Sequence, residues 1–391
     1  MRGEEVMPKW KKMGILTGGG DCPGLNNAIK HIVLGAYRDY DIEGIVKGWD
    51  GPIKMALAGA SARSKTIETY TLPLGPEQVR RLDRAGGTIL MSSRANPYKY
   101  QDSDVSDQVV KFLNRRYHTL VAIGGEDTLG AAGKMAQQGL RVVGVPKTID
   151  KDLCGTEYSL GFDSAVNMIQ ALVTNLKSTA GSHGMVYFVE AMGRKAGHLT
   201  YWGGRAAHVH FMTIPEVLTD SRKLFGLIEN RKKKMPLKRG FTLDGLRYTI
   251  VLVSEGTRLK GVGEIHKGEV DPHGNVYLGG VADFMCNEYI KQTGDKNARS
   301  LTLGHLQRSG PPSNKDGLMA EAFSQRALEL VQTGGFGRMS SIQGNAIGDT
   351  PLDVVIGRIR ILDAQECFDT EGFQPRISPE RIYNEIEIPK K

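Results

Sequence analysis

Two carboxylates flank a lysine at Asp150-Lys151-Asp152, three residues after the run Val142-Val143-Gly144-Val145-Pro146. A short β-branched run of this kind reads as a buried strand, so the two acids sit in the loop at its carboxyl end. In a phosphoryl transfer one carboxylate can take a hydroxyl proton from the acceptor, while the other organises Mg²⁺ or the base itself. The segment also reads, alone, as a polar turn in which an aspartate caps a helix. A guanidinium occupies a similar place in Glu190-Ala191-Met192-Gly193-Arg194, where it can neutralise charge that accumulates on a transferring phosphoryl group. A solvated surface arginine is its plainer reading. Further on, Arg299, His305 and Arg308 surround the short apolar stretch Leu301-Thr302-Leu303, a set that suits a sugar phosphate. Alone, His305 reads as a core histidine with its hydrogen bonds satisfied.

Two glycine-rich turns complete the candidate chemistry. Thr17-Gly18-Gly19-Gly20-Asp21-Cys22-Pro23-Gly24 leads from an apolar run into a segment whose Leu25, Ile29, Ile32, Val33 and Ala36 share one helical face. Its glycines permit close approach to a phosphate, but it matches neither GxxxxGK[ST] nor GxGxxG. Gly124-Gly125-Glu126-Asp127-Thr128 follows Leu120-Val121-Ala122-Ile123 and precedes a helix-like stretch over 129–138, which places bare backbone amides where an anion could sit. The carboxylate of Asp127 in that turn bears on which phosphoryl donor can be held.

The elements that must position these groups alternate. Met13 to Leu16 is followed by a helical pattern near 24–40, and Leu120 to Ile123 by one over 129–138. This alternation predicts an α/β fold with a parallel, helix-covered sheet, in which ligands bind beyond the carboxyl ends of the strands. Further strands are expected at Val142–Val145, Met185–Val189, His208–Met212 and Tyr248–Val253. A chain of 391 residues that is 40% hydrophobic can bury a large core and is long enough for two domains. Cys22, Cys154, Cys286 and Cys367 lack the spacing of a zinc site or a disulfide framework and suit reduced thiols in a cytoplasm. The polar start Met1–Lys12 and the lack of a long apolar stretch argue against a secretory signal and a membrane span. The net charge of +8 is concentrated in Arg231–Lys234 and Lys238–Arg239 without interleaved aromatic residues. That run reads as a solvated surface rather than a nucleic-acid platform, and a basic excess suits an enzyme with phosphorylated substrates.

Five ordered motifs resemble the phosphofructokinase family over about residues 13 to 360: TGGGDCPGLN, GGTILMSSR ending at Arg94, IGGEDTLGAA, PKTIDKD, and EAMGR followed by LGHLQRSG. The resemblance implies two Rossmann-like three-layer α/β/α domains with the active site in the cleft between them. Residues 13–161 and 312–360 would form the phosphoryl-donor domain, and 162–311 and 361–391 the fructose 6-phosphate domain. It further implies that Gly19 and Arg94 contact the donor phosphates and that Glu126 serves the Mg²⁺ site. Asp150 would be the general base, supported by Asp152. Thr148 would touch the substrate or the transferring phosphate, and Arg194 would stabilise the transition state. Met192, Gly193, Glu255, Arg299, His305 and Arg308 match the sugar-phosphate site, with Arg299 reaching in from a neighbouring subunit of a homodimer or homotetramer.

Donor choice turns on two positions. ATP-using members have glycine where Asp127 stands, and a carboxylate there would meet the α-phosphate and ribose of a nucleotide with bulk and like charge. Pyrophosphate has no such part. Lys147, shared with pyrophosphate-using members, can hold a small anion as a point charge. The implied activity is pyrophosphate-dependent phosphorylation of fructose 6-phosphate at its 1-hydroxyl, reversible and serving glycolysis or gluconeogenesis, in a soluble, cytoplasmic enzyme. The alternatives are an ATP-dependent 6-phosphofructokinase and a non-catalytic regulatory subunit of the same family, and sedoheptulose 7-phosphate is a possible side substrate. Three positions depart from the family pattern: Met185 stands where many bacterial members place a phosphate-binding arginine, Lys151 replaces an asparagine and Glu126 an aspartate. Without the arginine, phosphate grip falls to Arg299, Arg308 or Lys315. Glu216 matches an effector-site position of allosteric relatives but reads here as a helix-start or loop carboxylate.

Overall fold

The computed structural model describes residues 11–234, 248–270, 276–376 and 385–389. Its first sheet contains β1 (Lys11–Thr17), β2 (Tyr40–Ile45), β3 (Thr71–Pro73), β4 (Thr119–Gly124) and β5 (Val142–Pro146), together with Arg338–Gln343 and Ala346–Pro351. Spatially the order runs Ala346–Pro351, Arg338–Gln343, β5, β4, β1, β2, β3. The five inner strands are parallel, and each edge is closed by an antiparallel partner.

Every residue of β4 and β5 is buried, which is why these strands read as near-continuous apolar runs. Successive side chains nevertheless divide between two cores. Leu120 and Ala122 join Leu16, Leu113 and Leu129 on one face, while Val121 and Ile123 join Met13, Ile15 and Ile29 on the other. The period of two thus gives a sheet with helices on both faces. The helices Leu25–Ala36 and Asn314–Thr333 pack together on one face.

A second parallel sheet has the order Ala298–Thr302, β6 (Val186–Ala191), Thr249–Ser254, β7 (Phe211–Thr213). It divides in the same way. Val189 and Leu252 belong to the core shared with the first sheet, and Phe188 and Val251 to a core on the far side with Leu224, Met285 and Tyr289. The α/β class with parallel sheets is therefore as expected. The strand expected at His208–Met212 is not: only Phe211–Thr213 is extended, because the helix His198–Ala206 continues into a turn in which His208 takes a left-handed φ of 48°. Of the insert near 219–246, Ser221–Lys234 is helical and ends in the basic run, while Lys238 and Arg239 lie outside the described residues.

The helices Phe162–His183 and Asn314–Thr333 lie on the two connections between the sheets, and one side chain ties their starts together. Asp316 is fully buried. It accepts hydrogen bonds from Tyr158 Oη at 2.7 Å, the Gly161 and Ser164 amides at 2.9 Å each, and Ser164 Oγ at 2.5 Å. Burial pushes its carboxyl pKa up, and the four donors oppose that push. Nothing in the local sequence Ser313-Asn314-Lys315-Asp316 announces this role, since the partners lie about 150 residues earlier in the chain.

Candidate active site

The loop after β1 is held by its neighbours rather than by its own turn chemistry. The Gly19 amide donates to Ser93 O at 3.0 Å, and Ser92 Oγ donates to Gly19 O, so the segment ending at Arg94 lies directly against the glycine loop. Gly19 has a φ of +79°, a conformation that suits glycine, and leaves the backbone free of a Cβ there. Lys147 is buried, and its ammonium donates to Gly18 O at 2.9 Å and Gly20 O at 2.5 Å. Its pKa is pushed down, chiefly by burial. Lys147 is thus an internal brace of the loop through which a donor anion would be held, a connection its neighbours in sequence do not reveal.

Between β4 and the helix Glu126–Gln137, Gly125 caps the helix and Glu126 and Asp127 occupy its first turn, where the helix dipole favours negative charge. Asp127 is exposed and Glu126 half-buried. Thr128 lies beneath, filling the space that side chains at Gly18 and Gly124 would need: a Cβ on either glycine would stand 2.5 Å or 2.4 Å from its side-chain atoms.

After β5 the loop turns through Thr148, Asp150 and Asp152. Thr148 Oγ1 accepts the Asp150 amide at 3.1 Å and donates to Asp152 Oδ1 at 3.2 Å, and Lys151 adopts a left-handed φ of 56°. The Asp150 carboxyl pKa is raised from 3.8 to about 6, first by burial and then by the charge of Glu255, while Arg194, Arg308 and Lys147 pull it down. Glu255 and Arg194 belong to the second sheet. Asp150 is therefore under the electrostatic influence of groups that follow strands of the second sheet.

On the second-sheet side, Glu255 Oε1 accepts the amides of Gly193 at 3.3 Å and Arg194 at 3.0 Å. Burial pushes its carboxyl pKa up. Gly193 (φ 137°) and Arg194 (φ 44°) are both left-handed, so the arginine loop is bent sharply around that carboxylate. Met192 donates its amide to Gln307 Oε1 at 3.2 Å, and Gln307, wholly buried, donates from its own amide nitrogen to Gly304 O at 3.0 Å. Gln307 was not singled out from the sequence, although it lies within the LGHLQRSG motif. Arg308 reaches across the cleft to the glycine loop: its Nε stands 3.3 Å from Asp21 Oδ1, and Nη1 lies where a Cβ on Gly20 would come within 2.5 Å.

Two of the sequence candidates are exposed. Arg299 is exposed near the start of the edge strand, opposite Tyr187, and donates to Lys296 O at 2.9 Å and Ala298 O at 2.7 Å. His305 is exposed on the single turn Gly304–Arg308. Lys315 places its ammonium over the Tyr158 ring, 4.8 Å from the centroid. Of the two readings of Glu216, a helix-start or a loop carboxylate, the loop holds: it lies in a turn between two strands, and its surroundings are described below.

The loops after two parallel sheets thus bring the Asp150 carboxyl group under the influence of the Arg194 and Arg308 guanidinium groups. Residues 12–331 match the family described as phosphofructokinase, and the chain belongs to that family. It is 38% identical over 356 residues to a pyrophosphate--fructose 6-phosphate 1-phosphotransferase of Dictyoglomus thermophilum, covering 90% of this chain and 95% of that one. It is 32% identical to an ATP-dependent 6-phosphofructokinase of Corynebacterium efficiens, covering 89% of this chain and 94% of that one. Among solved structures, the pyrophosphate-dependent phosphofructokinase of Nitrosospira multiformis superposes with a TM-score of 0.73 at 19% identity, covering 94% of this chain and 89% of that one.

Proposed function

We propose that this protein is a pyrophosphate-dependent 6-phosphofructokinase, which converts fructose 6-phosphate and pyrophosphate reversibly into fructose 1,6-bisphosphate and orthophosphate. The observation that carries the reading is Asp150, a carboxyl raised to about 6 and facing Glu255 and Arg194 across the cleft. A base of that pKa is ionised at neutral pH and lies close to it, which suits proton transfer. The pyrophosphate donor finds support in the relatives named for it and in the exposed carboxylate of Asp127. A nucleotide would have to carry its α-phosphate and ribose past that like charge.

In this reading Asp150 takes the proton from the sugar 1-hydroxyl as its oxygen attacks one phosphorus of pyrophosphate. The O–P bond to the sugar forms, the bridging P–O bond breaks, and the departing orthophosphate keeps the electron pair. Arg194 balances charge on the transferring group, and Thr148 holds the base segment in place. Lys147 keeps the glycine loop open to the donor, which Gly19 and Arg94 would contact. Met192, Gly193, Glu255, His305 and Arg308 bind the sugar phosphate. Arg299 serves that site from a second copy of the chain in a homodimer or homotetramer, a role in keeping with its outward position on the edge strand. The donor belongs to the unit 13–161 with 312–360, and the sugar phosphate to 162–311 with 361–391.

Mg²⁺ fits this donor set. No cluster of three or more His, Cys, Asp or Glu ligands exists among the described residues. Glu126, with hard carboxylate oxygens at the mouth of the loop, nevertheless suits an ion that is bound by one or two carboxylates together with substrate phosphates. When bound, the ion would neutralise phosphate charge. No helix among the described residues is long and apolar enough to cross a membrane.

The test is stoichiometry followed by ³¹P NMR with fructose 6-phosphate, pyrophosphate and Mg²⁺. One fructose 1,6-bisphosphate and one orthophosphate should appear per pyrophosphate consumed. Pyrophosphate hydrolysis without the sugar, or no product at all, would overturn the reading.

A further inference from the structure

Glu216, in the turn Ile214-Pro215-Glu216 that follows β7, lies behind the arginine loop rather than on the surface. Its Oε1 accepts two backbone amides, Gly197 at 2.8 Å and Leu362 at 3.1 Å. Oε2 is sealed from solvent and has no hydrogen-bond partner among the described residues. The fit against Gly197 is close: a Cβ there would stand 2.6 Å from Oε2 and 2.7 Å from Ile214 Cβ.

The same turn also bears on the front of the loop. A Cβ on Gly256 would come 1.7 Å from the Arg194 carbonyl oxygen and 3.3 Å from Pro215 Cγ. The loop Gly193–Gly197 is therefore gripped at one end by Glu255, through the Gly193 and Arg194 amides, and at the other by Glu216, through the Gly197 amide. Leu362 extends the connection. It ends the strand Arg358–Leu362, in which the Arg360 amide donates to Asp152 O at 2.8 Å and Arg360 Nη1 to Thr156 O at 2.5 Å. One short strand thus hangs from the segment that bears the base and reaches Glu216 two residues later.

We infer that Glu216 is a positioning residue for Arg194, whose carboxyl group sets the arginine loop in register with the Asp150–Asp152 segment through Gly197 and Leu362. The inference rests on the reading of Arg194 as the charge-stabilising group. The neutral acid is the form that suits this enclosure: burial raises the Glu216 pKa to about 7, against the pull of the Gly197 and Leu362 amides and of Arg258. The other charged groups on the segments packed around it are Arg194, Lys195 and His198 on the loop and the helix after it, Glu255 beside Gly256, and Arg360 and Asp363 on and after the strand. What the site needs is an acceptor for two amides, which a neutral amide side chain supplies as well as an acid.

Three variants and one cycle test this. Glu216→Ala removes the acceptor, and kcat should fall by about 10²-fold with KM for fructose 6-phosphate changed little, the signature of a displaced catalytic group. Glu216→Gln keeps an acceptor oxygen of the same reach and should retain kcat within about threefold. Gly197→Ala, which pushes the carboxyl group away, should reproduce the loss seen with Glu216→Ala. In an Arg194→Ala background, Glu216→Ala should lower kcat no further, because both changes remove one function. Full kcat in Glu216→Ala, an equal loss in Glu216→Gln, or additive losses in the double variant would overturn the inference. Failure of the parent reading shows separately, as an Arg194→Ala single variant that keeps its kcat. Unchanged thermal melting of Glu216→Gln excludes misfolding as the source of a loss in that variant.

Discussion

At two glycines on the first-sheet side of the cleft, Gly20 and Gly18, a Cβ would meet side-chain atoms, Arg308 Nη1 and the Thr128 hydroxyl. On the second-sheet side Gly256 and Gly193 would meet backbone, Arg194 O and Ala196 O, while Gly197 would meet the Glu216 carboxyl group. A side-chain end can swing aside, whereas a carbonyl held in a packed loop cannot without moving the chain. At these positions the two sides thus differ in what an added methyl group would displace. The second-sheet side presents Arg194 from a loop that the Glu255 and Glu216 carboxyl groups hold at both ends, and Glu190 extends the pattern by accepting the Gly280 and Ala282 amides at the start of the helix Val281–Thr293.

The largest effect expected is at the proposed base. Asp150→Ser should lower kcat by about 10² to 10⁴-fold with an unchanged circular dichroism spectrum. Near-normal turnover would remove the base from the account. Next, Gly256→Ala should displace the Arg194 carbonyl and lower kcat by about 10²-fold, visible in initial rates at saturating substrates.

The pH profile follows from the charge around Asp150. The folded-state pKa of this carboxyl is raised from 3.8 to about 6, so the ionised base is lost as pH falls through about 6, and the forward rate should fall about tenfold per unit below that point. An unshifted carboxylate would hold the rate constant down to about pH 4. For stability the sign is reversed. The folded protein binds this proton more tightly than the unfolded chain, so a destabilising contribution builds as pH rises from 3.8 to about 6 and persists above. Asp150→Asn should accordingly raise the melting temperature at pH 8 and leave it nearly unchanged at pH 3.

The smallest effect is expected on the first-sheet side. Gly20→Ala asks only the Arg308 guanidinium to move, and its kcat should stay within about threefold of the parent enzyme. A loss as large as that of Gly256→Ala would erase the contrast between the halves.

Much of this arrangement is legible in the sequence because parallel strands bury both faces and end in loops of unusual composition. β4 and β5 stand out as apolar runs, and the loops that follow carry Glu126, Asp127, Asp150 and Asp152. What the sequence does not reveal is pairing across long separations. The bonds of Lys147 to Gly18 and Gly20 cannot be read from its neighbours, nor can the contact of the loop carboxylate Glu216 with the amide of Leu362, 146 residues later. The alternation at His208–Met212 misleads for a local reason: His208 and Val209 close a helix whose end consumes the first half of the pattern.

The donor is the central claim, and initial rates with fructose 6-phosphate and Mg²⁺ test it most directly, comparing pyrophosphate with ATP in the parent enzyme and in Asp127→Gly. The account predicts turnover with pyrophosphate alone in the parent, and measurable turnover with ATP once the carboxylate is removed. Strong activity of the parent enzyme with ATP would contradict it.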